Sequence, residues 1–467
     1  MRSPGEPLLP LRVDHLTRGE GHTVQVFDFA GGKGDPEAQS AAEGWCPSRN
    51  ARGANMRVKS IICSVGRSGY MHRDLVAIKA GATPDGFLFH GKPHSAGFKK
   101  IVEPATIVSV MLELEDGQIA FGDCADVILA GVAGRDPAFR GEDHIGYLRS
   151  EIAPLLKDLD VAKFRDNARQ FDQYRHGGKP LHTAVRYGLT QALLHATALA
   201  QKKTMAEIIA AEYGTTIAKA PIPILASGHK DDPLQLDRTI LKRVDLLPHA
   251  SFTIVKDHVG LEGEKLLAFA AAVSKRIREI GEADYKPRIH LDVYGTLGEL
   301  FAMKMEPLSD YLGRLAQAAR PYGLLVESPI IAKTQEEQIA NFKMLRALLK
   351  EKGISVGLIA DEWCNTLEDI RLFADIGATD YVQIKTPDLG GINNTIEAVL
   401  YCRSKNMGSS LGGTANETDH SARICTHIGL ACSPDFMLSK PGLGVDEALM
   451  IQTNEMARTL AILAARA

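Results

Sequence analysis

The runs PRIHLDVYG (287–295), YGLLVESPI (322–330), SVGLIADE (355–362) and TDYVQIKTPD (379–388) share one form. Each is a short apolar run that ends in chargeable or amide side chains: Asp292, Glu327, Asp361, then Gln383 with Lys385. Runs of this length, bounded by turn residues, read as strands buried on both faces. Working outward, comparable runs occur at PIPILAS (221–227), SFTIVKD (251–257), MGSSLGGT (407–414) and FMLSKPG (436–442). Most intervals between them carry a helical period, as in LSDYLGRLAQAA (308–319) and QIANFKMLRALLK (338–350). Eight alternating strands and helices over residues 217–467 predict an α/β fold, a (β/α)₈ barrel. An open doubly wound sheet would more often begin with a GxGxxG turn, which is absent.

Upstream, residues 56–216 have a different rhythm. IVSVMLELEDGQIAFGDC (107–124) reads as two strands around the turn Asp116-Gly117. Helical patterns follow from Leu148 and from Thr183, so an N-terminal α+β domain is expected, lying over the barrel as a cap. In residues 1–55, Gly and Pro fill 13 positions and no period is visible. This stretch is expected to be a disordered extension, with Met56 as the functional start.

The strand ends carry the chemistry. In a barrel of this type the C-terminal strand ends form the active-site mouth. A single Asp at a strand end is usually a helix cap or a solvated turn residue. Three successive strands each ending in a carboxylate, followed by a strand bearing Lys385, are hard to explain by capping alone. Three hard oxygen donors favour Mg²⁺ over zinc. Such an ion can hold a substrate carboxylate while the adjacent carbon loses a proton to Lys385, an arrangement already known for the enolase superfamily. Other polar candidates are His249, before the second strand, and Lys256, Asp257 and His258 after it. The glycines of GGTANETD (412–419) can let backbone approach a carboxylate, with Thr414 adding a hydroxyl.

The chain has 467 residues, 45% hydrophobic and 24% charged, with 54 basic against 57 acidic side chains and a formal net charge of −3. That balance excludes a collagen-like or wholly disordered chain and gives no electrostatic reason to expect nucleic acid or an anionic membrane as partner. No apolar run is long enough to span a bilayer. Seven cysteines without a CxxC pair argue against a zinc ribbon or disulfide framework and suit a reducing cytoplasm.

Taken together, GRDPAF (134–139), LHTAVRYGLTQA (181–192), VDLLPHA (244–250), HLDVYGT (290–296), ADEWCNT (360–366), VQIKTPDLGG (382–391), GGTANET (412–418) and KPGLGVDE (440–447) resemble the methylaspartate ammonia-lyases of the enolase superfamily. The resemblance runs from Met56 to the C-terminus. It implies that Asp292, Glu327 and Asp361 bind Mg²⁺, that Lys385 removes the C3 proton of an (S)-configured substrate, and that His249 is the acid/base on the opposite face. It also implies that Gln383 and Thr414 contact substrate carboxylates. The implied reaction is reversible loss of ammonia from 3-methylaspartate to give mesaconate, in a homodimer activated by a monovalent cation such as K⁺.

Two departures stand out. The family typically has a glutamine after the first barrel strand, in a string like FAQSGDD, where ILASGHKDD (224–232) has Ser227 in or next to that place. It also typically has GGTCNET, where this chain has Ala415 for the cysteine. Both fall at the substrate pocket, so a shifted preference among small amino acids is expected. The rivals are an enolase-superfamily dehydratase or racemase on another carboxylate, a Schiff-base enzyme using Lys385, and a barrel that binds a partner without catalysis.

Overall fold

The computed structural model describes residues 56–466 apart from 129, 132 and 133; the expectation for residues 1–55 lies outside the described residues. β1 (Val58–Arg73) pairs antiparallel with β4 (Val102–Leu114), and a small hairpin of β2 (Thr83–Asp85) and β3 (Leu88–His90) lies between them in sequence. The predicted hairpin is present. β4 turns at Asp116-Gly117 into β5 (Ile119–Cys124), and Gly117 takes φ +85°, the left-handed backbone such a turn needs. The sheet order is β1-β4-β5.

The helix Thr183–Gln201 packs on this sheet. It is buried almost all round, as its Ala- and Leu-rich composition suggests. Helix and strand meet at two glycines. A Cβ on Gly122 would lie 2.1 Å from the carbonyl oxygen of Gly188, and one on Gly188 would lie 2.5 Å from the amide of Cys124. A second short hairpin, β6 (Arg175–His176) and β7 (Lys179–Pro180), precedes this helix.

The eight strands that follow close into an all-parallel barrel: β8 (Ile224–Leu225), β9 (Leu246–Ser251), β10 (Arg288–Asp292), β11 (Leu324–Glu327), β12 (Gly357–Ala360), β13 (Tyr381–Ile384), β14 (Gly408–Leu411) and β15 (Phe436–Leu438). One strand differs from the sequence reading. The second barrel strand is Leu246–Ser251, not SFTIVKD, so His249 lies within it instead of before it. Pro248 makes this stretch look interrupted in sequence. In the fold, His290 of β10 pairs with Pro248 and Leu291 pairs with Ala250, leaving His249 as an extra, bulged residue with φ +51°. Residues 255–259 form a single π-helical turn beyond the strand.

Side chains alternate along each strand, and this alternation builds the site. Leu225, Leu246, Leu325, Ile359, Phe436 and Leu438, with Tyr381, form an apolar plug inside the barrel. Two residues further along the same strands, on the same face, stand Ser227, Glu327, Asp361, Gln383 and Lys440. The outward set, including Leu247, Ile289, Val326, Leu358 and Val382, belongs to the main core shared with the helices. Among the described residues, 56–460 form one compact unit.

Candidate active site

Adjacent strands place the three carboxylates side by side. Asp292 and Glu327 are register partners on β10 and β11, and Asp361 is the first residue beyond β12, the next strand. All three are buried. Lys385 lies just past β13 and its Nζ donates to both carboxylate oxygens of Asp361, at 2.7 and 2.6 Å. Gln383 donates its side-chain amide to Glu327 Oε1, while its own Oε1 is buried without a partner.

Burial pushes the Asp292 carboxyl well above the usual carboxylate range, and the negative charges of Glu327 and Asp361 push the same way. The donor near it is the backbone amide of Tyr294, at 3.4 Å, and no cation pairs with Asp292 among the described residues. Burial raises Asp361 too, to about 6, although Lys385 opposes that shift. For Lys385, burial disfavours the ammonium, but contact with Asp361 more than reverses this and holds the proton tighter than usual. A buried carboxylate cluster with too little positive charge is a donor set that suits a hard divalent cation.

His249 is turned toward this cluster by its bulge. Its Nδ1 lies 3.3 Å from Nδ1 of His290 and 3.9 Å from Glu327 Oε2. Desolvation lowers His249 to about 4 and His290 to about 3, so both imidazoles are neutral near pH 7. His249, His290 and Glu327 also bring three potential ligand atoms together. His290, however, faces His249 with Nδ1 and Glu327 with Nε2, the latter at 3.1 Å. Its two nitrogens point apart and Nε2 is buried without a hydrogen-bond partner, and the carboxylate trio is the better-matched set for a hard cation.

Ser227, Thr414 and Ala415 line the same cavity, of about 610 Å³, together with Asp292, Glu327, Asp361, Gln383, Lys385 and His249. These nine candidates thus share one cavity, which His258 also lines, whereas Lys256 and Asp257 are not among its lining residues. Thr414 Oγ1 accepts from the backbone amide of Ile128, at 3.2 Å, so the loop after β14 is tied to the N-terminal layer. That loop rests on a buried ion pair, Lys440 with Glu417 at 2.9 Å, and Glu417 also accepts from Tyr187 and Thr386. A Cβ on Gly412 would sit 1.6 Å from Gln383 Oε1, so any larger residue here requires the Gln383 amide to move.

Sequence reasoning missed two groups. His290 sits two residues before Asp292 and therefore on the same strand face, a signal available in IHLD. Arg135 comes from the N-terminal layer and reaches Asp388 at 2.9 Å, Glu362 at 3.3 Å and Asn365 at 2.7 Å. Nothing in its local sequence announces that contact across 253 positions.

Comparison with known proteins agrees with this geometry. The family described as "Methylaspartate ammonia-lyase N-terminus" matches residues 56–214, and "Methylaspartate ammonia-lyase C-terminus" matches residues 216–465. This chain belongs to the methylaspartate ammonia-lyase family. It is therefore a carbon–nitrogen lyase with the barrel of that family. Methylaspartate ammonia-lyase 2 of Carboxydothermus hydrogenoformans is 48% identical over 412 residues, 88% of this chain and 99% of the relative. The crystal structure of β-methylaspartase from Clostridium tetanomorphum, described as a Mg complex, superposes with a TM-score of 0.84 at 43% identity, covering 88% of this chain and 100% of that one. The methylaspartate ammonia-lyase of Citrobacter amalonaticus, solved with (2S,3S)-3-methylaspartic acid, gives 0.85 at 44% identity over 87% of this chain and 100% of that one.

Proposed function

We propose that this chain removes ammonia from 3-methylaspartate or a related 3-substituted aspartate in a Mg²⁺-dependent reaction, giving mesaconate or its analogue. The observation that carries this reading is the trio Asp292, Glu327 and Asp361 on consecutive strands with Lys385 clasped to the third. Asp292, Glu327 and Asp361 would hold the cation, which when bound would supply a sink for the charge that develops on the substrate carboxylate and a positive charge favouring the neutral amine of Lys385.

Lys385 then takes the C3 proton. The C3–H and C2–N bonds break, the C2–C3 double bond forms, and the nitrogen leaves as ammonia. In this reading His249, neutral and in contact with His290, exchanges a proton on the opposite face. Gln383 and Thr414 orient carboxylates, and Ser227 and Ala415 leave room beside them. Residues 56–216 act as a cap that keeps water from the site built by residues 217–467. A homodimer in the cytoplasm, with a monovalent cation as activator, completes the reading on family likeness.

The test is the purified protein with Mg²⁺ and a panel of 3-substituted aspartates, following ultraviolet absorbance of the conjugated acid together with ammonia release. Conjugated acid and ammonia formed in equal amounts support the reading. Solvent-deuterium exchange without ammonia points instead to a racemase-type reaction, and water as the leaving group to a dehydratase.

A further inference from the structure

The cavity is larger than a methylaspartate skeleton requires. At about 610 Å³ it lies in the range of pockets that hold drug-sized ligands. Its barrel side is the polar floor described above. Its other side comes from the N-terminal layer, where Leu75, Ile78, Phe89, Val127 and Ile128 form an apolar wall.

Arg73, at the end of β1, stands among these residues. Four cationic side chains of Arg and Lys line the cavity, and three have a carboxylate. Lys385 has Asp361, Arg135 has Asp388 and Glu362, and Lys230 has Asp231. Arg73 makes no ion pair among the described residues, and its Nε is buried without a hydrogen-bond partner. The guanidinium is held by aromatic faces, 5.5 Å from the ring centres of both Phe87 and Phe89. A guanidinium beside two rings, with a buried unmet donor and on a residue that lines the cavity, suits a planar anion. Its position relative to the floor is set through the backbone. Arg73 N donates to Ile128 O, and Ile128 N donates to Thr414 Oγ1.

We infer that Arg73 is a specificity-determining residue that binds a carboxylate at the far end of the substrate's 3-substituent, the apolar wall covering the spacer in between. This deepens the proposed ammonia-lyase reading and rests on it. The substrate class is a 3-(carboxyalkyl)aspartate, a tricarboxylic amino acid.

Initial rates with 3-methylaspartate, 3-propylaspartate and the near-isosteric 3-(2-carboxyethyl)aspartate, on wild type, Arg73→Gln and Arg73→Lys, test this. The expected result is a kcat/KM about ten- to a hundredfold higher for the carboxylate-ended substrate than for the propyl one. Arg73→Gln removes that preference and leaves the propyl rate within about threefold, while Arg73→Lys keeps part of it. Equal rates for the two long substrates in wild type overturn the inference. So does an equal loss on all three substrates in Arg73→Gln, because Arg73 would then serve the common aspartate head or the fold. In either case turnover of 3-methylaspartate leaves the lyase reading standing. No turnover of any member sinks that reading and this inference with it. Circular dichroism of both variants, matching wild type, ties the rate changes to recognition.

Discussion

Lys385 Nζ lies within 2.7 Å of both carboxylate oxygens of Asp361, a buried ion pair between the ends of neighbouring barrel strands. The pair stores the positive charge of the proposed base beside one proposed metal ligand. Replacing Lys385 with Gln removes the proton acceptor and keeps a hydrogen-bond donor to Asp361. Turnover of 3-methylaspartate with Mg²⁺ should fall by about 10²–10⁴-fold, with the circular dichroism spectrum unchanged. A loss smaller than tenfold would remove Lys385 from the role of base.

Asp292 has the opposite problem, a carboxylate without a counter-charge. Its raised pKa means that the ionised form costs folding free energy above the ordinary carboxylate pKa, in the absence of a cation. Asp292→Asn should therefore stabilise the chelator-treated protein by about 1–2 kcal/mol and abolish the stabilisation that Mg²⁺ confers on wild type. Thermal unfolding in EDTA and in Mg²⁺ reads both effects. Wild-type activity should vanish in EDTA and return with excess Mg²⁺.

Gly412→Ala probes the packing between β14 and Gln383. The added methyl lies in the place of Gln383 Oε1, so the amide must rotate and release Glu327. A stability loss of about 1–3 kcal/mol and a raised KM are expected, measured by denaturant unfolding and steady-state kinetics. An unchanged KM would show that Gln383 does not touch substrate.

Away from the site, Glu455 on the final helix meets Arg423 at 2.9 Å and His427 at 3.2 Å. These contacts hold its carboxyl down to about 2, with the His427 hydrogen bond foremost. Because the folded pKa lies below the ordinary value, the stabilisation is complete above about pH 5. It fades as pH falls through the folded value. Glu455→Gln should lower stability by about 1–2 kcal/mol at pH 7, less than the full shift because Glu455 is partly solvated. Chemical denaturation should show the gap to wild type closing below about pH 4; a constant gap would argue for packing instead.

Much of this protein is legible in local pattern. Apolar runs ending in Asp292, Glu327 and Asp361 declare both strand and site, because the barrel mouth is built from strand ends. The helix Thr183–Gln201 and the hairpin at Asp116-Gly117 follow from period and turn chemistry. The second barrel strand was misplaced because Pro248 breaks the apolar run. A parallel neighbour and a one-residue bulge, both non-local, make 246–251 the strand. His290, two residues before Asp292, follows from strand alternation.

The sequence by itself determined the order of elements, the residue types at the barrel mouth and the family, since these depend on short-range period, composition and extended motif identity. The tertiary structure alone decided which charges are paired. Arg135 finds Asp388 and Glu362 across the chain, Lys385 finds Asp361, and Arg73 finds no carboxylate among the described residues. The physical reason is that ion pairing and desolvation depend on distances of a few ångströms between residues far apart in sequence, and only the closed barrel with its N-terminal layer sets those distances.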